Sequence, residues 1–88
     1  MEAIQVIVDE MENDIFQLDF KAVGYGMVNL IEELAQIDEL LSYDQKQMFN
    51  EILGYLNIAY ENKDYLLLAD LLRYELLRFL NSYSREIN

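Results

Sequence analysis

The sequence of 88 residues contains no cysteine, histidine, proline or tryptophan, and it has only three glycines. Without cysteine the chain can form no disulfide, no thiolate metal ligand and no cysteine nucleophile. Without histidine, the usual zinc, di-iron and catalytic-triad sites lack their commonest side chain. The patterns of a calcium loop and of a glycine-rich phosphate loop are absent as well. We therefore predict a protein that is not an enzyme, with no catalytic residue, no metal and no cofactor.

Basic residues are also scarce, since 6 lysines and arginines face 17 aspartates and glutamates and give a formal net charge of −11. Such a surface repels the phosphates of nucleic acids and of anionic membranes, so we expect neither as a partner. Residues 1–44 hold 11 acidic residues and the single base Lys21, whereas residues 45–88 hold 6 acidic and 5 basic residues. A solvated acidic face explains this asymmetry; the alternative is an acidic decoy that imitates nucleic-acid phosphate and binds a basic protein.

No apolar run approaches the ~18 residues that a membrane-spanning helix needs. The apolar residues of the opening MEAIQVIVDEMEND lack a basic leader and are followed at once by acids, so we expect no signal peptide and a cytoplasmic protein. Because 53% of the residues are apolar, a chain of this length can fill one core without disulfides or a structural metal. We therefore predict a single helical domain over residues 1–88, and we expect no small-molecule substrate.

Hydrophobic periodicity predicts an all-α fold, a small four-helix bundle built of two helical hairpins. The clearest stripe alternates steps of four and three residues, as a packed helix face does, and comprises Phe16, Phe20, Val23, Met27, Leu30, Leu34, Ile37 and Leu41. Similar stripes between turn residues place the helices at about residues 2–13, 16–41, 44–61 and 64–83.

Polar residues that favour turns and helix caps mark the three breaks between these helices. The first break lies between residues 13 and 19, because Ile15 and Leu18 can extend the stripe of the first helix. At the third break, Asn62 tolerates the left-handed conformation that ends many helices. The residues that mark the breaks are Asn13-Asp14, then Ser42 with Gln45 in an S-x-x-Q capping box, and then Asn62 with Asp64.

Two of the three glycines, Gly24 and Gly26, interrupt the stripe of the second helix. A glycine inside a helix costs roughly 1 kcal/mol relative to alanine, so each needs a reason. We favour close approach of a crossing helix or a local kink. The alternative is that the two glycines open a binding groove.

The fourth helix carries apolar residues on two sides. Leu67, Leu71 and Tyr74 recur at i, i+4 and i+7 away from its core stripe, and Arg78 continues the same line. Apolar surface of this kind usually marks an interface when it stays exposed. We therefore predict a protein interface at Leu67, Leu71, Tyr74 and Arg78; the alternative is that the bundle itself buries this line.

The two halves of the chain are faintly alike at a spacing of about 50 residues. Leu18 and Ala22, for example, precede Leu68 and Leu72 by 50 positions. One repeat is too few for a solenoid, which generally needs ~3 or more units. The likeness therefore favours two similar helical hairpins.

Residues 61–76, ENKDYLLLADLLRYEL, resemble the carboxy-terminal hairpin of small acidic helical proteins of unknown function from Gram-positive bacteria, in which an N-K-D-Y-x-L-L-A-D-L-L-x-Y-E-L run recurs. This resemblance implies a helical bundle and no particular chemistry. In size, acidity and helix content the chain also looks like flagellar export chaperones, which keep export substrates soluble by offering an apolar helix face. That second resemblance is one of composition.

Together these features predict a non-enzymatic helical interaction module. It would self-associate, with a homodimer as the expected form, or bind a partner protein through its apolar helix faces. The alternative is an acidic decoy or a protein like the flagellar export chaperones, which binds a basic or amphipathic partner. An enzyme with a carboxylate and tyrosine site is disfavoured, because no nucleophile, cofactor fingerprint or phosphate loop is present.

Overall fold

The computed structural model describes the backbone of residues 2–87 and the side chains of residues 2–83, so residues 1 and 88 of the predicted domain lie outside it. This part of the chain contains helices and short turns and no strand, which confirms the predicted all-α fold. The helices are α1 (Glu2–Phe16), α2 (Phe20–Asp38), α3 (Tyr43–Glu61) and a continuous fourth helix made of α4 (Tyr65–Asp70), a π-helical segment (Leu71–Leu76) and α5 (Leu77–Ile87).

The chain divides into two compact units, residues 1–42 and residues 43–88. In the first unit α1 packs against α2, and in the second α3 packs against α4 and the π-helical segment. Each unit is thus one helical hairpin, as the sequence predicts, and we call them the first and the second hairpin. That the two form a single domain stays a prediction.

The core of the first hairpin follows the predicted spacing of four and three residues. Gly26 lies where α2 packs tightly against the Met11 side chain of α1, because a Cβ atom built on it would stand 2.5 Å from Cγ of Met11. The close approach predicted for the glycines is therefore confirmed at Gly26. The buried residues are Ile4, Val8, Met11 and Ile15 on α1 and Val23, Met27, Leu30 and Leu34 on α2.

The break between α1 and α2 falls at residues 17–19, within the predicted range of 13–19, but two helix ends differ from the predicted bounds. α1 continues to Phe16, beyond Asn13, because Ile15 is buried and extends the apolar stripe. Phe16 therefore belongs to α1, where it is exposed, and not to the stripe of α2. At the other end α2 stops at Asp38 and not at Leu41. Leu41 is buried all the same, because it reaches the core from the turn that follows the helix.

The turn of the first hairpin is a Schellman motif. The Leu18 N–H donates to the Ile15 carbonyl at 3.0 Å, and the Asp19 N–H donates to the Asp14 carbonyl at 2.9 Å. Leu18 has a positive φ of 60°. Asp19 then caps α2, since its carboxylate accepts from the Ala22 N–H at 3.2 Å. The capping role expected of Asn13-Asp14 was wrong, because α1 runs through both residues.

The second hairpin repeats this turn 45 residues later. Lys63, with a φ of 58°, occupies the left-handed position, and Asp64 caps α4 by accepting from the Leu67 N–H at 3.2 Å. The left-handed residue predicted was Asn62, but the positive φ lies one residue later, because the Lys63 N–H donates to the Tyr60 carbonyl and the Asp64 N–H to the Ala59 carbonyl. The cap expected at Asp64 is confirmed, and α3 begins directly after Ser42, where the predicted capping box places its cap.

A π-helical segment lets the fourth helix keep one buried line of leucines. Four residues turn an α-helix by about 40° more than a full circle, so three such steps in succession would carry a line off the core. The wider π-helical turn takes up this excess by accommodating one extra residue. The leucines on that line are Leu68, Leu72, Leu76 and Leu80, and all four are buried.

The two hairpins are therefore related by a spacing of 45 residues, and not by the spacing of about 50 expected from the sequence. Their turns set this register, since Leu18 corresponds to Lys63 and Asp19 to Asp64. From Leu76, the last residue of the π-helical segment, the spacing becomes 46, because that segment adds one residue. The buried pairs that follow are Val23 with Leu68, Met27 with Leu72, Leu30 with Leu76 and Leu34 with Leu80.

Candidate protein-binding surface

A groove runs along the second hairpin between α3 and the fourth helix. Its larger part has a volume of about 370 Å³ and is lined by Met48, Glu51, Ile52, Tyr55, Glu75, Arg78, Phe79 and Ser82. A neighbouring hollow of about 240 Å³ is lined by Asp44, Gln45, Met48, Phe79, Ser82 and Tyr83. Because three lining residues are shared, the two hollows form one continuous depression, which we call the α3–α5 groove.

The apolar floor of the groove is built by the core of the second hairpin. The rings of Phe49 and Phe79 stack with centroids 5.6 Å apart and an angle of 28° between their planes. Phe79 is buried, and so is Ile52 on the facing helix. The floor is therefore held by side chains that the core already orders, so a ligand would meet a largely preformed surface.

Two large side chains of α3 stand beside this floor. Met48 and Tyr55 are 57% and 56% exposed, although they share a helix face with the buried Ile52. The α3 sequence carries two adjacent apolar lines, and the core buries residues of both, Ile52 and Ala59 from one line and Phe49 and Leu56 from the other. The apolar face of α3 is thus wider than the surface it buries, and its excess borders the groove.

Acidic residues dominate the polar rim. Asp44 and Glu51 on α3 and Glu75 on the π-helical segment line the groove, together with the single basic lining residue Arg78. With three carboxylates against one guanidinium, the rim favours a ligand that carries positive charge. Arg78 can pair with one carboxylate of such a ligand and so fix its position.

The four residues predicted as an interface lie in different surroundings. Leu67 is 43% exposed and Tyr74 is 65% exposed, whereas Leu71 is half-buried. Arg78 is exposed and is the one member of this set that lines the groove. The π-helical segment begins at Leu71, so the α-helical spacing that predicted one straight line does not hold along it. The interface at these residues stays a prediction.

Sequence reasoning missed the part of the surface that α3 contributes. In the α3 sequence, Met48 and Tyr55 share one apolar line with Ile52 and Ala59. The width of the apolar face of α3 was a signal for extra apolar surface. It could not say which residues of the two lines would be left exposed, because that depends on the position of the fourth helix.

The groups that build other kinds of site are absent from the described residues. No polar or charged side chain is buried among residues 2–83. The described residues contain no group of three or more aspartates and glutamates that could hold a metal ion. Nor is any of their helices long and apolar enough to cross a membrane.

The sequence places the chain in a known family. A family model described as a domain of unknown function (DUF8042) matches residues 1–86, so the chain belongs to this family. This confirms the expected relation to a family of unknown function. No curated protein and no solved structure matches the chain.

Proposed function

We propose that this member of a family of unknown function is a non-enzymatic interaction module that binds an amphipathic segment of a partner protein in the α3–α5 groove. The observation that carries the proposal is the exposure of Met48 and Tyr55 beside a floor of buried core residues. An apolar floor within a polar rim is the surface that an amphipathic helix recognises. Leu67 and Tyr74 extend the apolar surface of the same hairpin, and we propose the line from Leu67 to Arg78 as its second contact area.

The partner segment is expected to be basic as well as apolar. The rim carries three carboxylates, and the whole chain has a net charge of −11. Opposite charge accelerates encounter and selects partners, whereas burial of the apolar side chains provides most of the affinity. A cytoplasmic location, which the sequence predicts, is part of this proposal.

A synthetic peptide tests the proposal directly. The probe is an 18-residue helix with leucines on one face, lysines on the other and one tryptophan among the leucines. Because the chain has no tryptophan, the peptide's fluorescence reports binding without interference. We expect a blue shift on binding, and a scrambled peptide of the same composition, which has no apolar face, should bind at least about tenfold more weakly.

Two substitutions on α3 form a matched pair for this titration. Tyr55 and Ile58 are both 56% exposed, but only Tyr55 lines the groove. Tyr55→Glu should weaken peptide binding about tenfold or more, since it places a carboxylate in the apolar contact. Ile58→Glu adds the same charge outside the groove and should leave the affinity nearly unchanged. Equal effects of the two substitutions would contradict binding in the groove.

A second candidate function is that of an acidic decoy or a chaperone-like protein. It is favoured by the first hairpin, in which residues 1–42 hold 10 acidic residues and 1 base. A decoy acts through charge, so its binding to a basic protein falls steeply as salt rises. If the scrambled peptide binds as well as the amphipathic one and 0.5 M salt abolishes both, this second function is supported over the first.

A further inference from the structure

Helix α2 carries a second apolar line that the first hairpin does not bury. Each residue of this line directly follows one of the buried residues Val23, Met27, Leu30 and Leu34. The line therefore repeats their spacing of four, three and four residues. Val28 and Ile31 at its centre are 56% and 50% exposed, and Ala35 is exposed as well. Gly24, the first residue of the line, is half-buried. We call Gly24, Val28, Ile31 and Ala35 the outer seam of α2.

The outer seam has the same spacing when it is read in either direction. Lys21 stands three residues before its first member, and Asp38 stands three residues after its last. Two copies of α2 packed antiparallel about a twofold axis would place Lys21 opposite Asp38, and Val28 opposite Ile31. Glycine and alanine would then face each other at both ends. A surface that matches itself in this way is what a twofold interface requires.

We infer that the outer seam binds the outer seam of a second copy of this chain, with the two α2 helices antiparallel. Charge complementarity selects this occupant, because Lys21 is the only base among residues 1–44 and Asp38 lies at the opposite end of the seam. The antiparallel pair joins these opposite charges twice, whereas a parallel pair would place lysine against lysine. Small residues at both ends let the two backbones approach closely, near the lower end of the 8–10 Å range of helix packing distances.

The hairpin fold itself does not require an apolar outer seam. In the second hairpin, the register of 45 and then 46 residues places Ala69, Arg73, Leu77 and Asn81 at the corresponding positions. Leu77 is buried in the second hairpin and Ala69 is half-buried, but Arg73 and Asn81 are polar. The second hairpin nevertheless has the same turn and the same buried line. The fold of one hairpin therefore does not require apolar residues at the positions of Val28 and Ala35, and exposed apolar surface of this kind marks an interface.

The size of the seam sets the expected strength of the association. α2 has 19 residues and is therefore about 28 Å long. One such helix pair buries less than the roughly 1,200 Å² of a stable standard interface. We therefore expect a dimer that dissociates on dilution through the micromolar range. This inference does not rest on the proposed groove function, because the two surfaces belong to different hairpins.

Sedimentation equilibrium of the full chain over a range of concentrations tests the inference. Val28 and Val6 form a matched pair, since they are 56% and 53% exposed and Val6 lies on α1, outside the seam. We expect the wild type and Val6→Glu to dimerise alike, and Val28→Glu to stay monomeric with unchanged helicity by circular dichroism. A wild type that is monomeric at millimolar concentration, or equal loss of dimer in the two variants, would overturn the inference.

Charge reversal at the ends of the seam tests the antiparallel arrangement without altering its apolar centre. Lys21→Glu and Asp38→Lys should each weaken the dimer about tenfold or more, because each turns two attractive pairs into repulsive ones. Asp38→Lys is the stricter variant, since it lowers the net negative charge and so reduces general repulsion. The double variant restores both pairs and should dimerise like the wild type. Failure of this rescue, or single variants that dimerise normally, would contradict the antiparallel pairing.

Discussion

The tight contact between Gly26 of α2 and Met11 of α1 yields a prediction about two glycines in different surroundings. A Cβ atom on Gly26 would lie 2.5 Å from Cγ and 3.1 Å from Sδ of Met11. Outside the backbone of its own helix, no atom of the described residues lies within 4 Å of a Cβ atom on Gly54. Both glycines lie inside helices, so alanine improves the helix propensity by a similar amount at either position.

The magnitudes follow from these distances. Gly54→Ala should raise the free energy of unfolding by about 0.5–1 kcal/mol, because its methyl group meets open space. Gly26→Ala gains the same propensity but overpacks the contact with Met11, which typically costs about 1–3 kcal/mol. The propensity gain cancels when the variants are compared, so Gly26→Ala should be less stable than Gly54→Ala by about 1–3 kcal/mol.

Urea denaturation followed by circular dichroism measures both variants against the wild type. Combining Gly26→Ala with Met11→Ala adds a further test, since removal of the methionine side chain makes room for the new methyl group. The double variant should therefore lose less free energy of unfolding than the two single variants lose together, by about 1 kcal/mol or more. If Gly26→Ala is as stable as Gly54→Ala, the close approach of α2 to Met11 is refuted.

Three further predictions concern the turns and the charge. Asp19→Ala and Asp64→Ala should each lower the free energy of unfolding by about 0.5–2 kcal/mol, since each removes a helix cap; denaturant titration measures the loss, and full stability would show that the caps contribute nothing. Leu18→Asn should raise thermal stability by a few degrees, because asparagine tolerates the positive φ of 60° better than leucine; a lower midpoint would assign a packing role to Leu18. Light scattering should show association near pH 4.1, the isoelectric point, where the net charge of −11 is lost; a clear monomeric solution there would contradict this.

The sequence by itself determined the helical class and the pairing into hairpins. The four-and-three spacing of apolar residues on α2 has one low-energy solution, a helix with one buried face, whatever packs against it. The break at Ser42 was equally local, because a capping residue before an apolar stripe acts within one turn of chain. The cap at Asp64 follows from the same reasoning.

Other features depend on contacts that no short pattern contains. Asn13 and Asp14 looked like a turn, but burial of Ile15 carries α1 past them and moves the cap to Asp19. Leu18 gave no sequence signal of a positive φ, because that position normally favours glycine. Hydrogen bonds across the whole turn impose this conformation.

The candidate binding surfaces were likewise indicated in part by the sequence and decided in part by tertiary packing. Sequence patterns showed that α3 and the fourth helix carry more apolar residues than one buried face needs. Which of them stay exposed was decided by tertiary packing, because the fourth helix buries Ile52 and leaves Tyr55 at the rim of the groove. Likewise, the π-helical segment arises because four leucines at steps of four residues must all reach one core, and this demand overrides the straight line predicted from Leu67 to Arg78. Local spacing thus determined the helices, whereas the packing of the two helices within each hairpin decided which of their side chains remain exposed for a partner.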